Sequence, residues 1–468
     1  MKKNIGYHIA FIIFIILGIF LYSSLIFNNN VWYDEAYSLA MIGHSFSDIC
    51  KITAADVHPP LYYFGLKIFC MIFGTELIFT KIFSIIPLIL TMIMGYRNIS
   101  KVFTHKEGLI FAAALLLLPL YQIYSVEIRM YTWASFAVFG SGIYAYRAVT
   151  EDKRCLWIIY TIFTILSAYL HYFAFVSVLV ISFMLLLASV YRYKVSKWFL
   201  SAAALVVAYV PWMSSFLGQL SEKVTNEYWI APITLKTVKE FFNVWLGCGD
   251  YTRFFIPFFA IVFVLSLIVM FKKTDFKRLS LSLTVLFVFV GTCLIGIIAS
   301  LAVRPVFIER YAIPAIPFVL TVIALGLGRI KSKTVITLIT IVAILFCGSA
   351  YIYTYDIEYN SSESFIEETL AKSQYDSIVC YQDSHLYGVL SYYEPQKPIY
   401  RPKISQGSPF KNVLPLDKRN ADNEKNILVF MPKGVAVPKW VSDSYNVSFT
   451  CEIATYGSFS DMYTCTPF

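Results

Sequence analysis

Long apolar stretches separated by short polar turns fill the first three quarters of the chain. A helix needs about 20 apolar residues to cross the hydrocarbon core of a bilayer. Eleven stretches approach or reach this length, and we predict a membrane-spanning helix for each: 7–27, 77–96, 108–124, 131–147, 155–170, 172–190, 198–217, 253–271, 279–302, 311–328 and 334–354. Stretch 59–74 is short and opens with Pro59-Pro60, which predicts an interfacial or re-entrant helix.

The loops on one side of this predicted arrangement hold a large excess of basic over acidic residues. If stretch 59–74 does not span, the inner loops hold 18 basic and four acidic residues, whereas a span there would reverse the bias. Cytoplasmic loops of membrane proteins are enriched in Lys and Arg. We therefore expect a cytoplasmic amino terminus, an uncleaved first helix, since no Ala-x-Ala site precedes Asn28, and a carboxyl end outside the cell.

The tail that follows the last predicted span has a different pattern. Short apolar runs alternate with turn residues and predict strands at Ser377–Tyr381 and Asn426–Met431 and helices at Ser364–Lys372 and His385–Tyr393. The fold class is thus a polytopic α-helical membrane protein with a small exocytoplasmic α/β domain. Its domains are 1–354, which includes a first outer loop at 28–76, and 355–468. Cys451 and Cys465 either bridge a terminal hairpin or stay free thiols.

Composition agrees with this interpretation. The chain is 58% hydrophobic and 14% charged, far from the ~25% charged residues of soluble domains. Its net charge of +9 follows from the inner loops, so it indicates topology and not nucleic-acid binding.

Ionisable groups gather at the predicted outer ends of the spans. Such groups are costly near the membrane core and usually mark function. The candidates are Asp34 and Glu35 after the first span; Asp56 and His58 before the interfacial helix and Tyr62 at its start; Glu127, Arg129 and Tyr131 in the next outer turn; His171 between spans five and six; and Arg304, Arg310 and Tyr311 in a later outer turn. Each group alone also fits a structural role, as a solvated loop, an ion pair or interfacial arginines.

Together these side chains describe one kind of site. Adjacent carboxylates can raise one another's pKa and supply a general base. Guanidinium groups form bidentate hydrogen bonds to phosphate. Carboxylates, histidine and arginines on one membrane side therefore suit a phosphate-bearing lipid and a hydroxyl acceptor.

The ordered motifs resemble a known family. Asp34-Glu35, His58-Pro59-Pro60-Leu61-Tyr62-Tyr63, Glu127-Ile128-Arg129-Met130-Tyr131 and Arg310-Tyr311-Ala312-Ile313-Pro314 are similar in order and spacing to those of GT-C membrane glycosyltransferases. The likeness is to bacterial proteins of the glycosyltransferase family 39 type, related to protein O-mannosyltransferases and aminoarabinose transferases. It covers about residues 5–330, and the tail carries none of its motifs.

The resemblance implies an inverting sugar transferase on the outer face of the cell membrane. Its donor would be a polyprenyl-phosphate sugar, and its acceptor a glycan, a lipid or a protein. Asp34 would be the base, with Glu35 beside it, and Arg129, Arg304 and Arg310 would hold the donor phosphate. A divalent metal stays an open alternative for the carboxylates, although no strong metal-ligand spacing is present.

Three other functions compete with this one. A polysaccharide polymerase or ligase uses similar chemistry but usually carries a larger late outer loop than 218–252. A transporter usually shows midplane charges or inverted repeats, which we do not find. A binding or sensor protein would not need the aligned Asp34, His58 and Arg129.

Overall fold

The computed structural model describes residues 2–222, 230–247, 249–272, 275–360, 362–382, 385–404, 407–419, 425–455 and 458–468. In chain order, the α-helices of the first part are α1 (Lys2–Ser23), α2 (Tyr33–Ile42), α3 (Phe46–Ala55), α4 (Leu61–Phe73), α5 (Leu77–Val102), α6 (His105–Leu117), α7 (Pro119–Val126), α8 (Tyr131–Glu151), α9 (Arg154–Leu170) and α10 (Tyr172–Tyr191). They continue with α11 (Val195–Glu222), α12 (Leu235–Trp245), α13 (Thr252–Lys272), α14 (Phe276–Ala302), α15 (Ile316–Leu327), α16 (Lys333–Asn360), α17 (Ser362–Ala371), α18 (Leu386–Tyr393) and α19 (Lys439–Ser442).

Among the residues that the structure describes, the strands all lie in the tail, and two 3₁₀ helices complete the elements. The strands are β1 (Ser377–Cys380), β2 (Ile399–Arg401), β3 (Val413–Pro415), β4 (Ile427–Pro432), β5 (Tyr445–Thr455) and β6 (Ser458–Pro467), and the 3₁₀ helices are Glu309–Ala315 and Leu416–Lys418.

The chain forms two compact units. The first comprises Met1–Ile26, Val57–Tyr62 and Ile78–Thr354, and the second comprises Phe27–Asp56, Tyr63–Leu77 and Tyr355–Phe468. Most of the first outer loop therefore belongs to the same unit as the tail.

The first unit is built from the apolar helices. The eleven predicted stretches fall mainly on helical residues, although the first, 7–27, runs past the end of α1 at Ser23. In the described part, eight helices are long and apolar enough to cross a membrane. A ninth is possible if α6 and α7, bent by 63°, count as one span. Side chains such as Ile12, Phe20 and Leu200 are more than half exposed on the outside of the unit, as lipid-facing residues are.

A proline explains the break in the predicted span 108–124. Pro119 is the first residue of α7, and the residue before a proline is disfavoured in the helical region. Leu118 accordingly has φ −77° and ψ 120°, an extended conformation, and α6 ends before it. Helix α8 has 21 residues and α9 has 17, and neither is among the eight, so they stay predicted spans.

The second unit contains a six-stranded sheet in the order β3-β2-β1-β4-β6-β5. The first four strands in this order run parallel, and β6 and β5 add an antiparallel hairpin. The predicted strands and helices of the tail are confirmed as β1, β4, α17 and α18. Its core holds the buried residues Val379, Tyr400, Ile427, Val429, Met431, Val441, Tyr445 and Cys465.

The register of the hairpin formed by β5 and β6 determines whether its two cysteines can form a disulfide. Cys465 faces Val447, and Cys451 faces Met462, so the two residues are not opposite one another. Both are free thiols, and the bridge considered from the sequence is wrong.

Candidate functional site

The turn between α7 and α8 buries a charged group of each sign in the first unit. Glu127 is 8% exposed and Arg129 is 4% exposed. The Arg129 backbone N–H donates to the Glu127 carbonyl at 2.8 Å, and the Ser84 hydroxyl donates to the same carbonyl at 2.6 Å. The turn is thus fixed through its backbone, which holds both charged side chains inside the protein.

His171 occupies the junction between α9 and α10, outside both helices. Its Nδ1 accepts a hydrogen bond from the Phe173 backbone N–H at 3.1 Å, which assigns the ring proton to Nε2. The His171 ring lies 5.3 Å from the His58 ring and 4.8 Å from the Tyr311 ring, measured between centroids. Burial, with a smaller contribution from the charges of Arg129 and Arg310, lowers the pKa of His171 to about 3. His171 is therefore a neutral donor at physiological pH.

The chain between α14 and the 3₁₀ helix is held by packing and by hydrogen bonds. The Ser300 hydroxyl accepts from the backbone N–H groups of Val306 and Phe307 at 3.1 and 3.0 Å. Gly296 leaves room for Phe307, since a Cβ there would lie 2.4 Å from its Cδ2. The Phe307 ring in turn lies 5.0 Å from that of Phe173.

The 3₁₀ helix Glu309–Ala315 carries Arg310 and Tyr311. The Trp245 indole donates to the Glu309 carbonyl at 2.7 Å, which ties this helix to α12. The Arg310 guanidinium carbon lies 5.9 Å from the centre of the Tyr131 ring. Arg310 therefore meets the turn that carries Arg129, and its charge acts on His171.

A cavity of about 160 Å³ lies within the first unit and is lined by residues around His58, at the α9–α10 junction, on α11 and in the chain that follows α14. Its polar lining residues are His58, His171, Tyr172, Gln219, Arg304 and Tyr311. Phe173 and Phe216 form much of its apolar wall. A largely apolar cavity with a few convergent polar groups is the usual form of a small-molecule site.

The amino terminus of α2 carries the predicted carboxylates of the second unit. Glu35 is buried, and its carboxylate accepts from the Trp32 backbone N–H at 3.3 Å, so it caps its own helix. Asp34 and Asp56 are half-buried. Burial and the Tyr387 hydroxyl raise the pKa of Tyr33 well above its usual value, and the charges of Asp34 and Asp56 add to this effect. Both carboxylates therefore lie within electrostatic range of one tyrosine.

The structure divides the predicted site residues between the units. In the first unit, His58, His171, Arg304 and Tyr311 line one cavity, and Arg129, Arg310 and Tyr131 lie beside His171. The Tyr62 ring packs against the Phe83 ring, with their centroids 5.9 Å apart. Glu127 lies in the same turn as Arg129. Asp34, Glu35 and Asp56 belong to the second unit.

Sequence reasoning missed three residues at these places. Tyr33 and Tyr37 flank the carboxylate pair, and their positions in Trp32-Tyr33-Asp34-Glu35-Ala36-Tyr37 were the available signal. The Asp56 carboxylate contributes to a raised pKa of Tyr37 after burial. Gln219 lines the cavity from α11, where a lone amide near the end of an apolar helix could have indicated it. Among the described residues, no group of three or more His, Cys, Asp or Glu side chains is arranged to hold a metal ion.

Comparisons with known proteins rest on structure. No protein-family model matches the chain, and no curated protein matches it by sequence search. The fold is similar to that of ArnT, an aminoarabinose transferase, from Cupriavidus metallidurans in the apo state, with a TM-score of 0.64 and 10% identity over 97% of both chains. The same protein bound to undecaprenyl phosphate matches with a TM-score of 0.65, 10% identity and 97% coverage of both chains.

The likeness to ArnT confirms the predicted GT-C membrane fold with its small carboxyl-terminal sheet domain. The chain is accordingly a multi-pass membrane protein. A third structure, the oligosaccharyltransferase AglB from Archaeoglobus fulgidus, matches with 10% identity over 91% of this chain and 69% of that one. Its TM-score of 0.47 indicates only a distant likeness.

Proposed function

We propose that this protein is a membrane glycosyltransferase that moves a sugar from a polyprenyl-phosphate-linked donor to an acceptor hydroxyl. The observation that carries the proposal is the gathering of arginines from separate turns around a neutral histidine. Arg304 lines the cavity with His171, and the charges of Arg129 and Arg310 both act on His171. The fold likeness supports the same function, since a crystal structure shows ArnT bound to undecaprenyl phosphate.

The arginines are suited to a lipid phosphate. As the bond between sugar and phosphate breaks, negative charge grows on the phosphate oxygens. Guanidinium groups in a water-poor site stabilise such charge without reorganising, because their positions are fixed before the reaction. His171 stays uncharged and offers only its Nε2–H, so it adds a hydrogen-bond donor.

We assign the proton transfer to Asp34. The acceptor oxygen attacks the anomeric carbon and loses its proton to the Asp34 carboxylate, while the sugar–phosphate C–O bond breaks. The bond electrons leave with the lipid phosphate, which is already an anion and needs no protonation. Attack opposite to the leaving group inverts the anomeric configuration. Asp56 is proposed to orient the acceptor, and Glu35 to hold the first turn of α2.

The distribution of basic residues supports a proposal for the side of the membrane. With 18 basic residues on the predicted inner side, we propose a cytoplasmic amino terminus and a reaction at the outer leaflet. Sugar, acceptor and carrier length are left to experiment.

The test is a transfer assay on purified protein in detergent. Radiolabelled polyprenyl-phosphate sugars are supplied with a crude envelope acceptor pool, and binding of sugar-free polyprenyl phosphate is measured in parallel. We expect transfer from at least one donor and weakened phosphate-lipid binding in Arg304→Gln, but not in Arg253→Gln, which alters an exposed arginine at the start of α13. No transfer from any donor, together with unchanged lipid binding in Arg304→Gln, would overturn the proposal.

A further inference from the structure

The helix that carries Asp34 is held at both ends by the tail of the chain, within the second unit. At its start, the hydroxyl groups of Tyr33 and Tyr387 are hydrogen-bonded at 2.9 Å. The His385 ring lies 4.2 Å from the Tyr33 ring in an edge-on arrangement. Tyr387 belongs to α18, and His385 precedes that helix directly. The first turn of α2, which contains Asp34, therefore rests on α18.

A glycine permits this approach. A Cβ at Gly388 would lie 2.6 Å from Cδ2 of Tyr33 and 2.7 Å from Cζ of Phe410. Real Cβ atoms do not come so near to other atoms, and both neighbours are ring atoms in a packed aromatic group. Any side chain at Gly388 must displace Tyr33 or Phe410.

An arginine anchors the same contact to the sheet. The Arg401 guanidinium carbon lies 3.9 Å from the centre of the Tyr387 ring. Arg401 is buried at the end of β2, and its Nη2 donates to the Gln382 carbonyl at 3.4 Å. Because a desolvated cation over an aromatic face is attracted to it, Arg401 holds the face of the Tyr387 ring while Tyr33 holds its hydroxyl group.

The far end of α2 is tied by the segment 407–411. The Lys411 ammonium donates to the Gly43 carbonyl at 2.8 Å, which caps the end of the helix. The Nε2 of His44 is hydrogen-bonded to the Pro409 carbonyl at 2.7 Å. Between the ends, the Tyr37 hydroxyl reaches the Gly407 carbonyl at 3.5 Å.

We propose that α18 and the segment 407–411 form a clamp that positions α2, and with it the Asp34 carboxylate, for catalysis. Tyr387, Gly388 and Lys411 are then positioning residues for the transfer reaction. This inference rests on the proposed function through the role of Asp34. Misplacing a reacting group by about 1 Å can cost on the order of 100-fold in rate. The tail thus sets the rate of the chemical step although it carries none of the motifs of the membrane part.

Two measurements test the clamp, and only one depends on activity. The first is hydrogen–deuterium exchange of the full-length protein in detergent, followed on peptides that cover α2. Gly388→Ala is compared with Gly348→Ala, a helical glycine whose added Cβ meets nothing within 4 Å. We expect faster exchange in α2 only for Gly388→Ala. Unchanged exchange in α2 would overturn the clamp, whether or not the protein transfers sugar.

The second measurement is the kinetics of transfer. Gly388→Ala and the milder Tyr387→Phe should lower kcat about 10- to 100-fold while the donor KM changes less than about twofold, because the donor phosphate is held elsewhere. Gly348→Ala should leave kcat and the donor KM unchanged, because its added Cβ meets nothing within 4 Å. Faster exchange in α2 with unchanged kcat in Gly388→Ala would overturn the positioning role. A wild type that transfers no sugar would instead overturn the proposed function.

Discussion

The neutral state of His171 leads to a prediction about pH. The ordinary pKa of histidine is 6.5, and in the folded protein that of His171 falls to about 3. As the pH drops through 6.5, His171 takes up a proton in the unfolded chain but not in the folded protein. The contribution of His171 to the free energy of unfolding is therefore fully present above pH 6.5. It is lost progressively as the pH is lowered from about 6.5 towards 3.

The size of the effect follows from the two pKa values. Between pH 8 and pH 5, a group with these values removes about 2 kcal/mol from the free energy of unfolding. Two causes seen in the structure support this direction: the ring is buried, and its Nδ1 already accepts from Phe173, so a second proton would break that bond.

The assay is the midpoint of thermal unfolding in detergent, measured from pH 8 to pH 5. The Tm of the wild type should fall between pH 8 and pH 5. We expect the Tm of His171→Asn, which keeps an acceptor near the Nδ1 position, to fall much less. His8→Asn, which removes an exposed histidine from α1, should keep that fall. A wild-type midpoint that does not change with pH, or an equal fall in His171→Asn, would refute the reasoning.

Two further variants probe other charged groups. Arg310→Lys keeps the charge but loses the planar guanidinium group. In the transfer assay kcat/KM should fall about 100-fold, which is the usual effect of removing one preorganised donor. An unchanged kcat/KM would exclude Arg310 from the phosphate site. Arg278 donates to Glu107 at 2.8 Å and to Asp275 at 2.7 Å. Arg278→Leu should therefore cost about 3–5 kcal/mol and lower the unfolding midpoint, whereas Lys277→Leu, at an exposed neighbour, should change it little; equal midpoints would contradict a buried ion pair.

The spacing of charged turns allowed much of the first unit to be predicted. Charges are excluded from lipid, so their positions in the sequence mark the ends of the helices. Arg129, His171 and Arg304 could be assigned to one membrane side for this reason, and in the structure they lie at or beside one cavity. Periodicity and turn residues likewise indicated β1 and β4 in the tail.

Contacts between residues that are far apart in the chain could not be predicted from the sequence. Nothing local pairs Tyr33 with Tyr387, so the grouping of the first outer loop with the tail could not be predicted. The sequence pattern of the hairpin did not give its register, which separates Cys451 from Cys465. Pro119 was visible in the sequence, but whether a proline kinks a helix or ends it depends on the packing around it.

The most direct test of the central claim compares wild type with Asp34→Asn in detergent, using the same labelled donor and acceptor pool. The two side chains have nearly the same shape, and the amide cannot accept the proton. Our account predicts that transfer is abolished in Asp34→Asn while binding of the polyprenyl-phosphate sugar is kept. Transfer at the wild-type rate in Asp34→Asn would contradict the assignment of Asp34 as the base.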